Sequence, residues 1–289
     1  MLETRDLTIR FGGHVAVDHV SCAFAPGTLT AIVGPNGAGK TTYFNLISGQ
    51  LPASEGRVLL DGQDITTLPA PLRTRRGLGR AFQLTQLFPN LTVRENLRLA
   101  IQAREAGRGN GGALFGMLGG VDLFRVWLDR SAWIDEAQAI LAQVRLADKA
   151  LAHASALPHG DQRKLEVALL IALDPKVFMF DEPTAGMSVD EVPVILDLIR
   201  ALKAQRNSTI LLVEHKMDVV RELADRIIVL HNGQLVADGE PAAVIASPIV
   251  QQAYLGIAAE DEPGLEPVPA DWRKPGESER PASRDVEAA

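Results

Sequence analysis

An α/β fold with a parallel central sheet is predicted by three features of this 289-residue chain. Short apolar runs recur at residues 29–33, 177–180, 210–213 and 227–230, each bounded by polar residues, Gly or Pro. Runs that are apolar at consecutive positions suit strands covered on both faces, as in parallel sheets. Between them lie stretches with helical periodicity at 41–48, 162–173 and 191–204, and such alternation marks a doubly wound core. The third feature is a change of pattern near the N-terminus, where 4–11 and 57–60 alternate apolar and polar and the second runs into Asp61-Gly62. These two strands predict a small antiparallel sheet beside the core. From 92 to 151 the strand signal disappears, and helical patterns at 93–104 and 132–144 surround the Gly-rich segment 106–120. A helical insert over about 84–160 is expected, with the glycine segment as a connector, because neither a lysine nor a strand-to-helix context accompanies it.

Composition narrows the function. The chain is 46% hydrophobic and 22% charged, near the averages of globular proteins. Cys22 is its only cysteine, so no internal disulfide forms, and a buried small apolar role is expected for it. The start MLETRDLTIR lacks a secretory layout and no run reaches about 18 apolar residues, so a cytoplasmic chain with borrowed membrane association is expected. Net charge is -7, of which Glu260 onward supplies -5 from nine acidic and four basic residues. The remaining body has no basic field to gather nucleic acid, and no nucleic-acid partner is expected. The cluster Arg73-Thr74-Arg75-Arg76 with Arg80 reads as a solvated helix end, because aromatic residues are not interleaved with it. Residues 257–289 combine five prolines with charge, the composition of a disordered tail; Trp272 is its one candidate docking residue.

After the strand at 29–33 comes Gly34-Pro35-Asn36-Gly37-Ala38-Gly39-Lys40-Thr41, a full match to GxxxxGK[ST]. The glycines let backbone N–H groups curl around phosphate oxygens, the following helix points its positive end at them, and Lys40 adds a charge. Thr41 then offers a hydroxyl to Mg²⁺, and Thr42 follows in the same turn. Downstream, the strand at 177–180 runs into Asp181-Glu182, carboxylates at the strand end where parallel α/β sheets keep their reacting groups. Asp181 suits metal holding through water and Glu182 suits polarising an attacking water. His14, His19, His153 and His231 read as ordinary surface or core histidines.

Between these two elements, Leu157-Pro158-His159-Gly160-Asp161-Gln162-Arg163 resembles the LSGGQ signature of the ABC ATPases. Gln83, in Gly79-Arg80-Ala81-Phe82-Gln83, is similar to that family's Q-loop glutamine, and His215 to its switch histidine. Phe11 stands 29 positions before Lys40, where the family sets an aromatic against adenine. The resemblance covers residues 2–256 and implies a phosphate-loop (RecA-like) core, an antiparallel β subdomain and a helical insert. It further implies ATP and Mg²⁺ as ligands, with Thr41, Gln83 and Asp181 around the metal, Glu182, His215 and Gln83 as catalytic groups, and residues 157–162 facing the ATP of a second ATPase subunit. The segment 84–88 is implied to lie near a permease. Phe11-Gly12-Gly13, Glu214-His215-Lys216-Met217 and Tyr254-Leu255-Gly256 resemble the ATPases of branched-chain amino acid importers, which work with two permease subunits and a binding protein at the inner face of the membrane. Importers of urea or short amides and soluble, non-transport ABC ATPases stay open as alternatives. Pro158 stands where the signature carries serine, and Ser188 where the family more often has aspartate.

Overall fold

The computed structural model describes residues 1–81, 87–108, 122–248 and 250–251. The chain divides into two units, Met1–Gly256 and Ile257–Ala289, and all described residues belong to the first. The tail and most of the glycine segment therefore lie outside the described residues, as does Gln83.

Two sheets carry the first unit. The antiparallel one has the order β2-β1-β4-β5, from β1 (Leu2–Phe11), β2 (His14–Phe24), β4 (Glu55–Leu60) and β5 (Gln63–Asp64). The larger has the order β10-β9-β3-β8-β7-β6, from β3 (Leu29–Val33), β6 (Leu78–Ala81), β7 (Val177–Asp181), β8 (Thr209–Val213), β9 (Arg226–His231) and β10 (Gln234–Gly239). Its pairings are parallel except the antiparallel edge β9–β10. Every residue of β3, β7 and β8 is buried, which is why these strands read as unbroken apolar runs instead of alternating ones. Register then does the positional work. Asp181 pairs with Val213, and Val213 with Ile32, so the chain leaves β3, β7 and β8 at one common edge.

The described α-helices are α1 (Lys40–Ser48), α2 (Ala70–Arg75), α3 (Val93–Arg108), α4 (Asp122–Gln143), α5 (His159–Leu173), α6 (Val192–Ala204), α7 (Met217–Leu223) and α8 (Pro241–Ile245), with α3 and α4 packed on α5. α3 opens on a reciprocal cap: Thr92 N–H donates to Glu95 at 2.8 Å while Glu95 N–H donates to Thr92 Oγ1 at 3.2 Å. The insert is more helical than its sequence pattern predicts, since α3 runs to Arg108 and α4 begins at Asp122. α5 likewise begins at His159, three residues before the predicted start.

The arginine cluster corrects the sequence reading. Arg73 is 2% exposed, and its guanidinium donates to the carbonyls of Leu46 and Ile47 at 2.7 Å, Leu68 at 2.8 Å and Thr66 at 2.6 Å. A planar fork of donors suits several carbonyls at once, two of them at the negative end of α1. Burial pulls this guanidinium down to about 10, so it is still charged at neutral pH. The side chain of Arg80 is likewise enclosed, against Asp181. Only Thr74, Arg75 and Arg76 are exposed, as a solvated helix end requires. Cys22 is buried as expected, and burial pushes its thiol up to about 11, which leaves it unreactive.

Candidate functional site

The segment joining β3 to α1 is a tight loop. Gly39 caps the helix in a left-handed conformation at φ 96°, and a Cβ there would lie 2.5 Å from the carbonyl oxygen of Ala16. Only glycine meets both demands. The contact also draws β2 against the loop, helped by Gly233, whose N–H donates to Ala38 O at 3.1 Å and whose carbonyl accepts from Asp18 N–H at 2.8 Å. Lys40 is the first residue of α1 and is 6% exposed. Its ammonium donates to Gly34 O at 2.7 Å and Pro35 O at 2.9 Å. Burial lowers its pKa, while the charges of Glu182 and Asp181 pull the other way.

A cleft of about 270 Å³ lies over this loop, lined by Asn36, Gly37, Ala38, Gly39, Lys40, Thr41 and Thr42, by Glu182 and His215, and by His14 and Ala16 of β2. Glu182 follows the last residue of β7 and sits at φ 49°, a left-handed conformation that costs a non-glycine residue about 1–3 kcal/mol. Its N–H donates to Val213 O at 2.9 Å, and its Oε1 lies 2.8 Å from His215 Nε2. Next to His215, Glu214 is 3% exposed and accepts from Thr184 Oγ1 at 2.9 Å. Asp181 is buried at the end of β7, with Oδ2 on Arg80 at 2.6 Å and Oδ1 without a hydrogen-bond partner.

Most phosphate-loop and strand-end residues predicted from sequence are thus brought together. His14 is an exposed histidine that also lines the cleft: the β1–β2 hairpin turns at Gly12-Gly13 and pairs His14 with Phe11. Phe11 is itself 51% exposed on the other side of that pair and does not line the cleft. The histidine ring carries no distinguishing sequence signal; only the hairpin brings it in. The other three hold ordinary places. His19 meets Asp18 at 2.6 Å, His153 meets Asn90 O at 3.1 Å, and His231 ends β9 half-buried.

The segment Leu157 to Gln162 lies apart from the cleft, at the start of α5. Pro158 caps the helix, and both it and His159 are exposed, whereas Leu157, Gly160 and Asp161 are buried. Burial alone would raise the Asp161 carboxyl, but hydrogen bonds from Lys149 and from Lys164, the latter at 2.8 Å, hold it below the usual carboxylate range. A Cβ on Gly160 would lie 2.1 Å from Glu191 Oε1. That carboxylate accepts from Ser188 N–H at 3.2 Å and Ser188 Oγ at 3.0 Å, and Lys164 approaches it at 3.4 Å. Glu191 therefore ties the segment after Glu182 to the first turn of α5. Sequence reasoning missed it, because a lone Glu at a helix start has many bland explanations.

In chemical terms the site offers backbone donors and one lysine for phosphate groups, hydroxyl and carboxylate oxygens for a hard cation, and a carboxylate–imidazole pair beside them. Residues 17–185 match the family model described as ABC transporter. The chain is 38% identical over 258 residues to the high-affinity branched-chain amino acid transport ATP-binding protein LivG of Escherichia coli K12 and to BraF of Pseudomonas aeruginosa, covering 89% of this chain and 98% of each relative. A probable branched-chain amino acid transport ATP-binding protein of Archaeoglobus fulgidus is 34% identical over 89% of this chain and 95% of its own. Among solved structures, the ADP conformation of the ATP-binding cassette MJ1267 superposes with a TM-score of 0.70 at 30% identity, covering 89% of this chain and 98% of that one.

Proposed function

The chain belongs to the ABC transporter family and is an ATPase of that type, and from this premise we propose that it energises an importer of branched-chain or other hydrophobic amino acids. The observation that carries the reading is the meeting of Lys40, Glu182 and His215 in one cleft over the β3–α1 loop. The substrate class is supported by relatives matched over nearly their whole length. Partners of the proposed assembly are a second ATPase subunit, identical or homologous, two permease subunits and, indirectly, a substrate-binding protein. Among the described residues no helix is long and apolar enough to cross a membrane, which fits attachment to the inner face of the membrane through permeases.

Within the cleft, backbone N–H groups of the loop and the start of α1 hold the phosphates of ATP, and Lys40 turns its ammonium from carbonyl oxygens toward them. Glu182 orients the attacking water and accepts its proton, while His215 contacts the γ-phosphate. The strained backbone of Glu182 supports a functional role, because strain of this kind gathers at reacting residues. Phe11, exposed at the hairpin, offers a face for adenine. The residues fit Mg²⁺: Thr41 supplies a hydroxyl, and Asp181 has a buried oxygen free to accept from a metal-bound water. Gln83 is proposed as a further oxygen donor. When bound, the ion neutralises charge on the phosphates. Among the described residues no group of three or more His, Cys, Asp or Glu could hold a metal, in keeping with an ion that arrives with the nucleotide.

The test is to tag the Glu182→Gln chain, solubilise native-host membranes in mild detergent with ATP present, and identify what co-purifies. Two membrane-embedded permeases and a short ATPase are the expected companions. Recovery with ribosomes or DNA-repair factors alone would sink the transport reading.

Residues 157–162, proposed to face the ATP of the second subunit, carry their own prediction. Pro158 is exposed at the cap of α5 and brings neither hydroxyl nor N–H. Pro158→Ser supplies both and is expected to strengthen ATP-induced pairing, read by sedimentation of the hydrolysis-deficient chain. Unchanged pairing and an unchanged ATPase rate would show that the missing donors do not matter.

A further inference from the structure

We propose that Arg80 is the positioning residue for Asp181, fixing one carboxylate oxygen so that the other is presented to the nucleotide's metal ion; this rests on the reading of Asp181 given above. Arg80 lies on β6, in register with Met179 of β7. Residues two apart on a strand share a face, so its side chain reaches diagonally to Asp181. The guanidinium Nη2 donates to Asp181 Oδ2 at 2.6 Å, with the two side chains 6% and 0% exposed. Its Nη1 donates to Asn45 Oδ1 at 2.6 Å, Ser48 Oγ at 3.0 Å and Gln50 Oε1 at 3.1 Å. The Phe44 ring lies 5.4 Å from the guanidinium carbon, a distance at which aromatic faces attract cations. Nη1 is therefore shared among acceptors on α1 and on the residue two past its end, Nη2 holds the carboxylate, and Nε is buried without a hydrogen-bond partner.

The consequence for Asp181 is a division of labour. Oδ2 is committed to Arg80, while Oδ1 is buried and lacks a hydrogen-bond partner. A carboxylate that could rotate would offer either oxygen; this one is pinned and has a single oxygen left. The pin is anchored on the helix whose first residues are Lys40 and Thr41, so carboxylate and hydroxyl are referenced to the same rigid element. Groups that orient metal ligands in this way commonly change metal affinity 10–100-fold when removed, by order of magnitude.

The test measures binding, not turnover. Affinity of the full-length chain for trinitrophenyl-ATP is titrated in EDTA and in saturating Mg²⁺, and the ratio of the two isolates the metal's contribution. In Arg80→Met the ratio is expected to collapse by about tenfold or more, with the EDTA affinity within about twofold of the parent. Arg80→Lys, which keeps a charge but loses the planar fork, should fall between. Because Arg80→Met leaves a buried carboxylate unpaired and can fail to fold, Asn45→Ala with Gln50→Ala provides a second route: it loosens the guanidinium without removing its charge and should lower the same ratio. Equal loss of affinity with and without metal would reduce Arg80 to a structural role and overturn the proposal. So would parent-like ratios in the variants. A parent chain whose affinity ignores Mg²⁺ would instead overturn the reading of Asp181 itself.

Discussion

Glu182→Gln is expected to slow ATP hydrolysis by about 10²–10⁴-fold, the usual worth of a positioned general base, while ATP binding is kept. The substitution is close to isosteric. A glutamine adopts the left-handed backbone at φ 49° as readily as a glutamate does, and its amide can still meet His215 Nε2, now at 2.8 Å from Oε1. What is lost is the ability to take a proton from water. Affinity should hold or rise, because Glu182 is one of two carboxylates whose charge acts on Lys40, and removing negative charge beside a phosphate site favours the phosphate. Phosphate release and fluorescent-nucleotide titration on the same preparation separate the two quantities. Turnover near that of the parent would remove Glu182 from its assigned role. Glu214→Gln is the internal control: this carboxylate is buried on Thr184 and does not line the cleft, so its loss should cost stability more than chemistry.

How much of this was legible in the sequence depends on which physics wrote each element. β3, β7 and β8 were visible because burial on both faces demands apolar residues at nearly every position, Thr30, Asp181 and Thr209 being the polar exceptions. β2 alternates only in part, since its pairing with β1 shifts register three times and His19 turns to φ 50°; each shift flips the apolar phase, so no clean period survives. β6 reads Leu-Gly-Arg-Ala, and half of it is a glycine and an ion-paired arginine, so propensity carried no signal. At the site, the phosphate loop and Asp181-Glu182 were legible because their chemistry fixes residue types at short spacing. His14, Arg80 and Glu191 were not, because each acquires its place from neighbours far away in sequence: the phosphate loop for the first, Asp181 for the second, Gly160 for the third. Spacing encodes local chemistry, and tertiary neighbours do not leave a period.

The same blindness misjudged Arg73, and it is there that the largest stability effect is expected. Arg73→Leu should lower the free energy of unfolding by about 3–4 kcal/mol. The guanidinium serves four backbone carbonyls, at Leu46, Ile47, Thr66 and Leu68, and those oxygens are fixed by α1 and by the turn after β5, so they cannot swing out to water when the donor leaves. Leu46 O keeps a second donor in Gly49 N–H at 3.3 Å, but buried acceptors left without donors cost about 1–3 kcal/mol each, and relaxation recovers only part of the sum. Leucine would fill some of the volume but donate to none of the oxygens. Gly49 adds a geometric reason that the site accepts nothing bulkier around it: a Cβ there would lie 2.6 Å from Arg73 Nε, so the backbone after α1 is packed directly on the guanidinium. Arg75→Leu is the matched comparison, because Arg75 lies on the same short helix and is exposed; a change within about 0.5 kcal/mol is expected there. Urea denaturation of the three proteins decides it. Equal midpoints for the Arg73 and Arg75 variants would mean that the carbonyls find water, and that the buried guanidinium is tolerated instead of required.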